Sequence, residues 1–135
     1  MSQINVNTIV PQSGTDVTVD GNLVVTGNNN IRPYKVYTAL LSQTGTDDPV
    51  AIVLENTIGN IVWQRINPGS YTGTLTNAFT SNKTFLNAGP FQFLYNTSCT
   101  FNRNNDDIVS LLNQTNNIIA DGILDNTPIE IRVYE

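Results

Sequence analysis

Turn-forming residues interrupt this chain at short, even intervals, and that spacing leaves little room for helices. Asp20-Gly21, Asn67-Pro68-Gly69, Asn87-Ala88-Gly89-Pro90 and the polar stretch 102–107 separate short runs of apolar and β-branched residues. Strand-sized runs that recur roughly every 8–12 residues between turn signals mark a β-sandwich or barrel. Residues 34–42, YKVYTALLS, alternate Tyr34, Val36, Thr38 and Leu40 against Lys35, Tyr37, Ala39 and Leu41. Residues 50–54, VAIVL, are continuously apolar, the pattern of a strand buried on both faces. Further strands are expected at 61–66 around Trp63, at 70–76, at 83–86, and at 91–95 continuing through 98–101. Residues 108–113 with 114–117 read as a strand and turn or as one helical turn, and the surrounding β context favours the strand. A short run at 118–121 and a cleanly alternating terminal strand at 129–134 complete the series. The expected core is Val36, Leu40, Ile52, Leu54, Val62, Trp63, Tyr71, Leu75, Phe85, Phe91, Phe93, Phe101, Leu111, Ile119, Ile131 and Val133. The fold class expected is all-β: a short N-terminal β stem or anchor over residues 1–30, then an antiparallel, jelly-roll-like β-sandwich over 31–135.

Composition supports that class and narrows the partners. Charged residues make up 13% of the chain, about half the usual share, and Asn with Thr fills roughly a quarter of it. Asn favours turns and Thr favours half-buried strands. Low charge also suits surfaces that meet other proteins, because charges are depleted at interface cores. The net charge is −5, and the six basic residues (Arg32, Lys35, Arg65, Lys83, Arg103 and Arg132) are scattered singly. With no basic patch, nucleic acid is not an expected partner. No basic amphipathic helix points to a membrane surface. The N-terminus has neither a charged n-region nor a continuous apolar core, so no secretory signal is expected and synthesis is placed in the cytoplasm.

The N-terminal thirty residues have a distinct organisation. Ile4, Val6, Thr8 and Val10 alternate with Asn5, Asn7 and Ile9 before Pro11-Gln12-Ser13-Gly14 breaks the run. Residues 17–27, VTVDGNLVVTG, then place Val17 and Val19 on one side of Asp20-Gly21, and Leu23 and Val25 on the other. Asp-Gly between alternating runs is a strong hairpin signal, since both central residues tolerate positive φ. The unit reads either as an edge hairpin of a globular sheet or as a sharp connection within a wound stem. A lone hairpin is marginal in water, and so few large apolar side chains cannot offset the entropy of ordering the backbone. This segment therefore needs a partner surface. Ile31-Arg32-Pro33 marks the junction, because proline fixes its own φ and holds the preceding residue extended.

Enzymatic machinery is sparse. The chain has no histidine, the commonest general base. Asp47-Asp48 and Asp106-Asp107 are the candidate carboxylate pairs, for acid–base work or for calcium. Both sit among turn formers, which favours loop chemistry and solvation. Cys99 is the single cysteine and reads as a small buried apolar residue. No phosphate-binding glycine motif occurs, and the sequons at Asn82, Asn96 and Asn113 are expected by chance in so Asn- and Thr-rich a chain. No catalytic, cofactor-binding or metal residue is assigned, and no enzyme activity is expected. Tyr34, Tyr37, Trp63 and Tyr71 would stack on sugar rings if exposed, but core placement is favoured for Trp63, which sits inside a strand amid Ile61 and Val62.

The segment INVNTIVPQSGTDVTVDGNLVVTG resembles the Val-Thr-Gly stem element of bacteriophage fibre and collar proteins. The later segments YKVYTALLSQTG, DPVAIVLENT and NTPIEIRVYE, in that order, resemble a module of phage virion proteins. The resemblance implies a virion location, a stem in which three chains wind together, and a projecting head. It also implies that Ile4, Val6, Val17, Val19, Leu23 and Val25 form the anchor and oligomerisation surface. The chain departs from long tail fibres in having one stem element and no extended shaft, so a short fibre, a capsid-decorating (head fibre) knob or a collar protein fits its length better. The expected partners are further copies of itself, as a homotrimer, and other virion proteins of the capsid, collar or tail. The alternative is a carbohydrate-binding adhesin or receptor-binding tip that takes a host-surface glycan on loops 43–49 and 102–107. No cofactor is expected.

Overall fold

A computed structural model describes residues 32–89 and 97–134. The chain divides between Ile31 and Arg32, and the described residues all belong to the second unit. Phe91 and Phe93, together with all six proposed anchor residues, lie outside them.

Nine strands and no helix occur among the described residues: β1 (Tyr34–Ser42), β2 (Val50–Asn56), β3 (Val62–Asn67), β4 (Ser70–Thr74), β5 (Thr84–Ala88), β6 (Thr97–Arg103), β7 (Ile108–Thr115), β8 (Ile118–Ile119) and β9 (Thr127–Tyr134). They form two antiparallel sheets. Sheet A has the order β2-β1-β9-β5, and sheet B the order β3-β4-β7-β6, with β8 continuing beside β7. The two-sheet, all-β architecture is as expected. The strand path is more hairpin-rich than an ideal jelly roll. The pairs β1–β2, β3–β4, β6–β7 and β7–β8 each stay within one sheet, and the other four connections cross between sheets.

Local chemistry explains the hairpins. At the β3–β4 turn, Pro68 supplies a fixed φ and Gly69 follows with φ +62°, the residue pattern of a type II turn. A Cβ on Gly69 would lie 2.6 Å from the Ala120 carbonyl oxygen and 2.8 Å from that of Asn113, so this position excludes every other residue on space as well as conformation. Asn116 and Asn117 join β7 to β8 with φ of 53° and 64°, the paired positive values of a two-residue hairpin turn.

The core fills the space between the sheets. Tyr37, Ala39 and Leu41 of β1 and Ile129, Ile131 and Val133 of β9 face Trp63, Tyr71, Val109 and Leu111 of sheet B. The Trp63 Nε1–H donates to the Tyr37 hydroxyl across the sandwich at 3.4 Å. Gly73 leaves the gap into which the Trp63 ring packs. Each such fully buried side chain contributes about 1.5–3 kcal/mol.

Five expected core residues are buried between the sheets, Trp63, Tyr71, Leu111, Ile131 and Val133, and Val36 is buried on the outer face of sheet A opposite its ladder partner Arg132. Leu75 and Phe101 pack against the core from its margin. Leu40 belongs to the opposite face of β1, because the odd-numbered side chains point inward; a strand's two faces are one residue apart. Ile52, Leu54, Val62, Phe85 and Ile119 are exposed. Ile61, Phe79 and Leu124 enter the core from connections rather than strands.

Candidate functional site

The largest departure from the expected pattern is at β2. Its apolar run was expected to be buried on both faces, yet Val50 is 66% exposed, Ile52 54% and Leu54 60%. The strand order supplies the reason. β2 is the edge of sheet A, pairs only with β1, and has no ladder partner on its other side among the described residues. A continuous apolar run reads the same whether a strand is central or lines an interface.

The register fixes which way each side chain points, since residues paired across a ladder share a face. Leu41 pairs with Ala51 and Ala39 with Val53 on the core side. Leu40 pairs with Ile52, and Ser42 with Val50, on the outer face of sheet A. Leu54 has no partner in β1: the register passes from Ala39–Val53 to Thr38–Glu55, so Leu54 is the extra residue of a β-bulge. Just beyond it, Glu55 accepts a hydrogen bond from Arg32 Nη1 at 2.6 Å, tying the entry of the chain into the head to the β2 edge.

β3 lies on the same side of the sandwich as the edge of sheet B, and the Arg65 backbone N–H donates to Asp48 Oδ1, just before β2, at 2.7 Å. Trp63 points inward, which turns Val62 (52% exposed) to the outer face of sheet B, and Ile66 (53% exposed) is the extra residue of a bulge between Arg65 and Asn67. Apolar surface therefore wraps around this open side. Val50, Ile52 and Leu54 of β2 and Val62 and Ile66 of β3 are each more than half exposed on this open side.

A second feature occupies the outer face of sheet A. Tyr34 pairs with Tyr134, and Phe85 with Arg132, so these residues share that face. The Tyr34 and Tyr134 rings lie 5.1 Å apart, and the Arg132 guanidinium sits 5.0 Å from the Tyr34 ring and 5.5 Å from Phe85. Arg132 also donates to Glu130, whose carboxylate, followed by the Tyr134 hydroxyl, raises the guanidinium pKa further. Of the tyrosines and tryptophan weighed for sugar stacking, Tyr37, Trp63 and Tyr71 are buried, leaving Tyr34. Nothing in the sequence joins Tyr34, Phe85, Arg132 and Tyr134; the register of three strands does.

The two loops proposed for glycan binding do not converge. Loop 43–49 lies at the end of the sandwich that carries the β3–β4 turn, where the Gln43 N–H donates to Leu124 and the Gln43 side-chain oxygen accepts from Tyr71 and Gly122. Loop 102–107 lies at the other end, where Asp107 and Asp106 carbonyls accept from Leu75 and Phe79. The aspartate pairs serve these loops. Asp48 and Asp107 accept backbone N–H groups from Arg65 and Asn77, and Asp106 pairs with Arg103. Among the described residues no three acidic, histidine or cysteine side chains gather at one point.

At the first end a polar clamp holds three loops. Asp121 accepts from Arg65 Nε at 2.9 Å and Nη2 at 2.7 Å, from the Gly69 N–H at 2.9 Å and from the Tyr71 hydroxyl at 3.5 Å. The Arg65 hydrogen bonds hold the Asp121 carboxyl below its ordinary value. Burial, with the Asp121 charge, pushes Tyr71 up to about 12. Burial alone pushes the Cys99 thiol up to about 12, which makes it a poor nucleophile at neutral pH. The Asn113 sequon is closed by complete burial.

No protein-family model, no curated protein and no solved structure matches this chain.

Proposed function

We propose that this chain is a structural component of a bacteriophage virion, a trimeric short fibre or a capsid-decorating or collar protein. The observation that carries the assembly role is the apolar open side of the sandwich, where Val50, Ile52, Leu54, Val62 and Ile66 are each more than half exposed. A lightly charged chain with that much apolar surface on one side is built to meet protein. The virion assignment rests on the sequence resemblance. Residues 1–30 form the stem, with Ile4, Val6, Val17, Val19, Leu23 and Val25 as the anchor, and the head projects from it or caps a junction. Its partners are copies of itself and capsid, collar or tail proteins, and it is made in the host cytoplasm before assembly.

The test has two parts. Peptides of the chain should appear in gradient-purified phage particles, and Val19→Asp with Leu23→Asp should prevent its incorporation. Particles of normal composition that carry the double variant would exclude the stem anchor.

A second reading keeps the head as a glycan-binding module. It is supported by the Tyr34, Phe85 and Tyr134 rings on one sheet face beside Glu130 and Arg132, rather than by the two loops. Glycan-array binding by the full chain that is lost on Tyr134→Ala would favour it; binding unchanged by that substitution would place the glycan elsewhere.

A further inference from the structure

We infer that the outer face of sheet A binds a neutral pyranose, stacked on Phe85 and Tyr134 and held through its hydroxyls by the Glu130–Arg132 ion pair. This rests on the glycan-binding reading above and adds to it the class of sugar and the groups that select it.

The ladder registers lay the face out as a grid. Thr38, Glu130 and Asn87 form one row across β1, β9 and β5, and Val36, Arg132 and Phe85 form the next. Tyr34 and Tyr134 close it as a third. Same-face neighbours along a strand are about 7 Å apart and adjacent strands about 4.8 Å, so the grid spans about 13 by 10 Å, the footprint of a disaccharide. Phe85 is 47% exposed and Tyr134 38%, and they flank Arg132 on two sides. Rings of this kind offer an apolar platform to the C–H face of a sugar, while a few placed polar groups meet its rim.

The polar groups suit neighbouring hydroxyls. Glu130 Oε1 accepts from Arg132 Nε at 2.5 Å, and the two side chains are 27% and 34% exposed. That bond employs one of the five guanidinium N–H groups, so the pair can both donate and accept at its open side, as two adjacent sugar hydroxyls require. The exposed Asn87 amide adds a donor and an acceptor beside Glu130. The guanidinium is already held 5.0 Å from the Tyr34 ring and 5.5 Å from Phe85, so little side-chain freedom is lost on binding.

Charge selects a neutral sugar over an acidic one. Glu130 compensates Arg132, Glu55 compensates Arg32 next to Tyr34, and the whole chain carries −5. A carboxylate brought to Arg132 would also meet Glu130. The same pair disfavours a protein cover. Aliphatic surface laid over it, from another protein or from residues 1–30, would remove its water without replacing the hydrogen bonds.

The experiment places the full chain on an array of immobilised neutral hexose trisaccharides and the matching uronic-acid trisaccharides. Affinity for the best neutral probe is then measured by titration calorimetry for wild type, Phe85→Ala and Glu130→Gln. Unchanged emission from buried Trp63 reports that each variant is folded. The expected result is binding of neutral probes, weakened at least about tenfold by each substitution and unchanged between about 0.05 and 0.5 M salt. Tighter binding of the uronic-acid probes, lost in Phe85→Ala, overturns the neutral class and keeps the glycan reading. Neutral binding that either variant retains in full overturns the site as drawn. A chain that binds none of the probes overturns the inference and the glycan reading together.

Discussion

Replacing Asp121 with alanine should destabilise the head more than any other substitution of a partly exposed residue. Its carboxylate takes two hydrogen bonds from Arg65 and one from the Gly69 backbone. Arg65 and Asp121 are 19% and 20% exposed, so alanine leaves a mostly covered guanidinium without its counter-charge and an orphaned turn N–H. Hydrogen bonds to charged groups contribute about 1.5–3 kcal/mol each, and water reaching a pair one-fifth exposed recovers part of that. The net loss expected is about 2–4 kcal/mol, which for a head of this size lowers the melting temperature by about 10–20 °C. Trp63 gives the assay. It is the only tryptophan and is buried against Tyr37, so its fluorescence reports unfolding of the core in urea. Wild type and variant are compared at one protein concentration, because self-association shifts apparent stability by mass action. Asp121→Asn should fall between them, keeping an acceptor for Gly69 while losing the charge. Asp125→Ala, in the neighbouring exposed loop, should change stability by less than about 0.5 kcal/mol. A loss below about 0.5 kcal/mol for Asp121→Ala would refute the clamp.

The remaining predictions follow from the same burial and bonding. The Asp121 contribution is whole above its ordinary pKa of 3.8 and is lost as pH falls through the lower folded value, so acid unfolding should be shallower in Asp121→Asn than in wild type. Tyr71 behaves in the opposite sense: its folded pKa is raised, so its contribution is whole below its ordinary 10.0 and lost as pH rises toward about 12, and Tyr71→Phe should flatten the alkaline limb of a pH–stability curve. Cys99 should react with a thiol reagent at pH 8 about a thousandfold more slowly in the native chain than in urea, since its pKa moves from 9.0 to about 12 on burial. The buried Thr127 hydroxyl finds no hydrogen-bond partner among the described residues, so Thr127→Val should raise stability by about 1 kcal/mol in urea titrations, and a loss would show that the hydroxyl is satisfied.

The signals that could be read from the sequence were local ones. YKVYTALLS gives β1 with the same bounds the structure assigns, Pro68-Gly69 gives the β3–β4 turn, and Asn116-Asn117 closes the β7–β8 hairpin that competed with a helical turn. What depended on strand order was not legible. VAIVL carries the same pattern at a sheet edge as at its centre, so Ile52 and Leu54 were assigned to a core they do not enter. The choice between the two faces of β1 turns on a one-residue register, and Leu40 fell on the wrong one. Loops 43–49 and 102–107 are equally polar in sequence, yet the path of the chain sends them to opposite ends. The Arg65–Asp121 pair joins positions 56 residues apart, a distance over which neither periodicity nor turn chemistry carries information.

The proposed function requires that copies of this chain assemble. Its mass in solution tests that most directly. Light scattering on the full chain at micromolar concentration should give three times the 14.8 kDa of one chain, and a smaller mass when Val19 and Leu23 are both changed to aspartate. A wild-type mass of 14.8 kDa, unchanged on concentration, would contradict it.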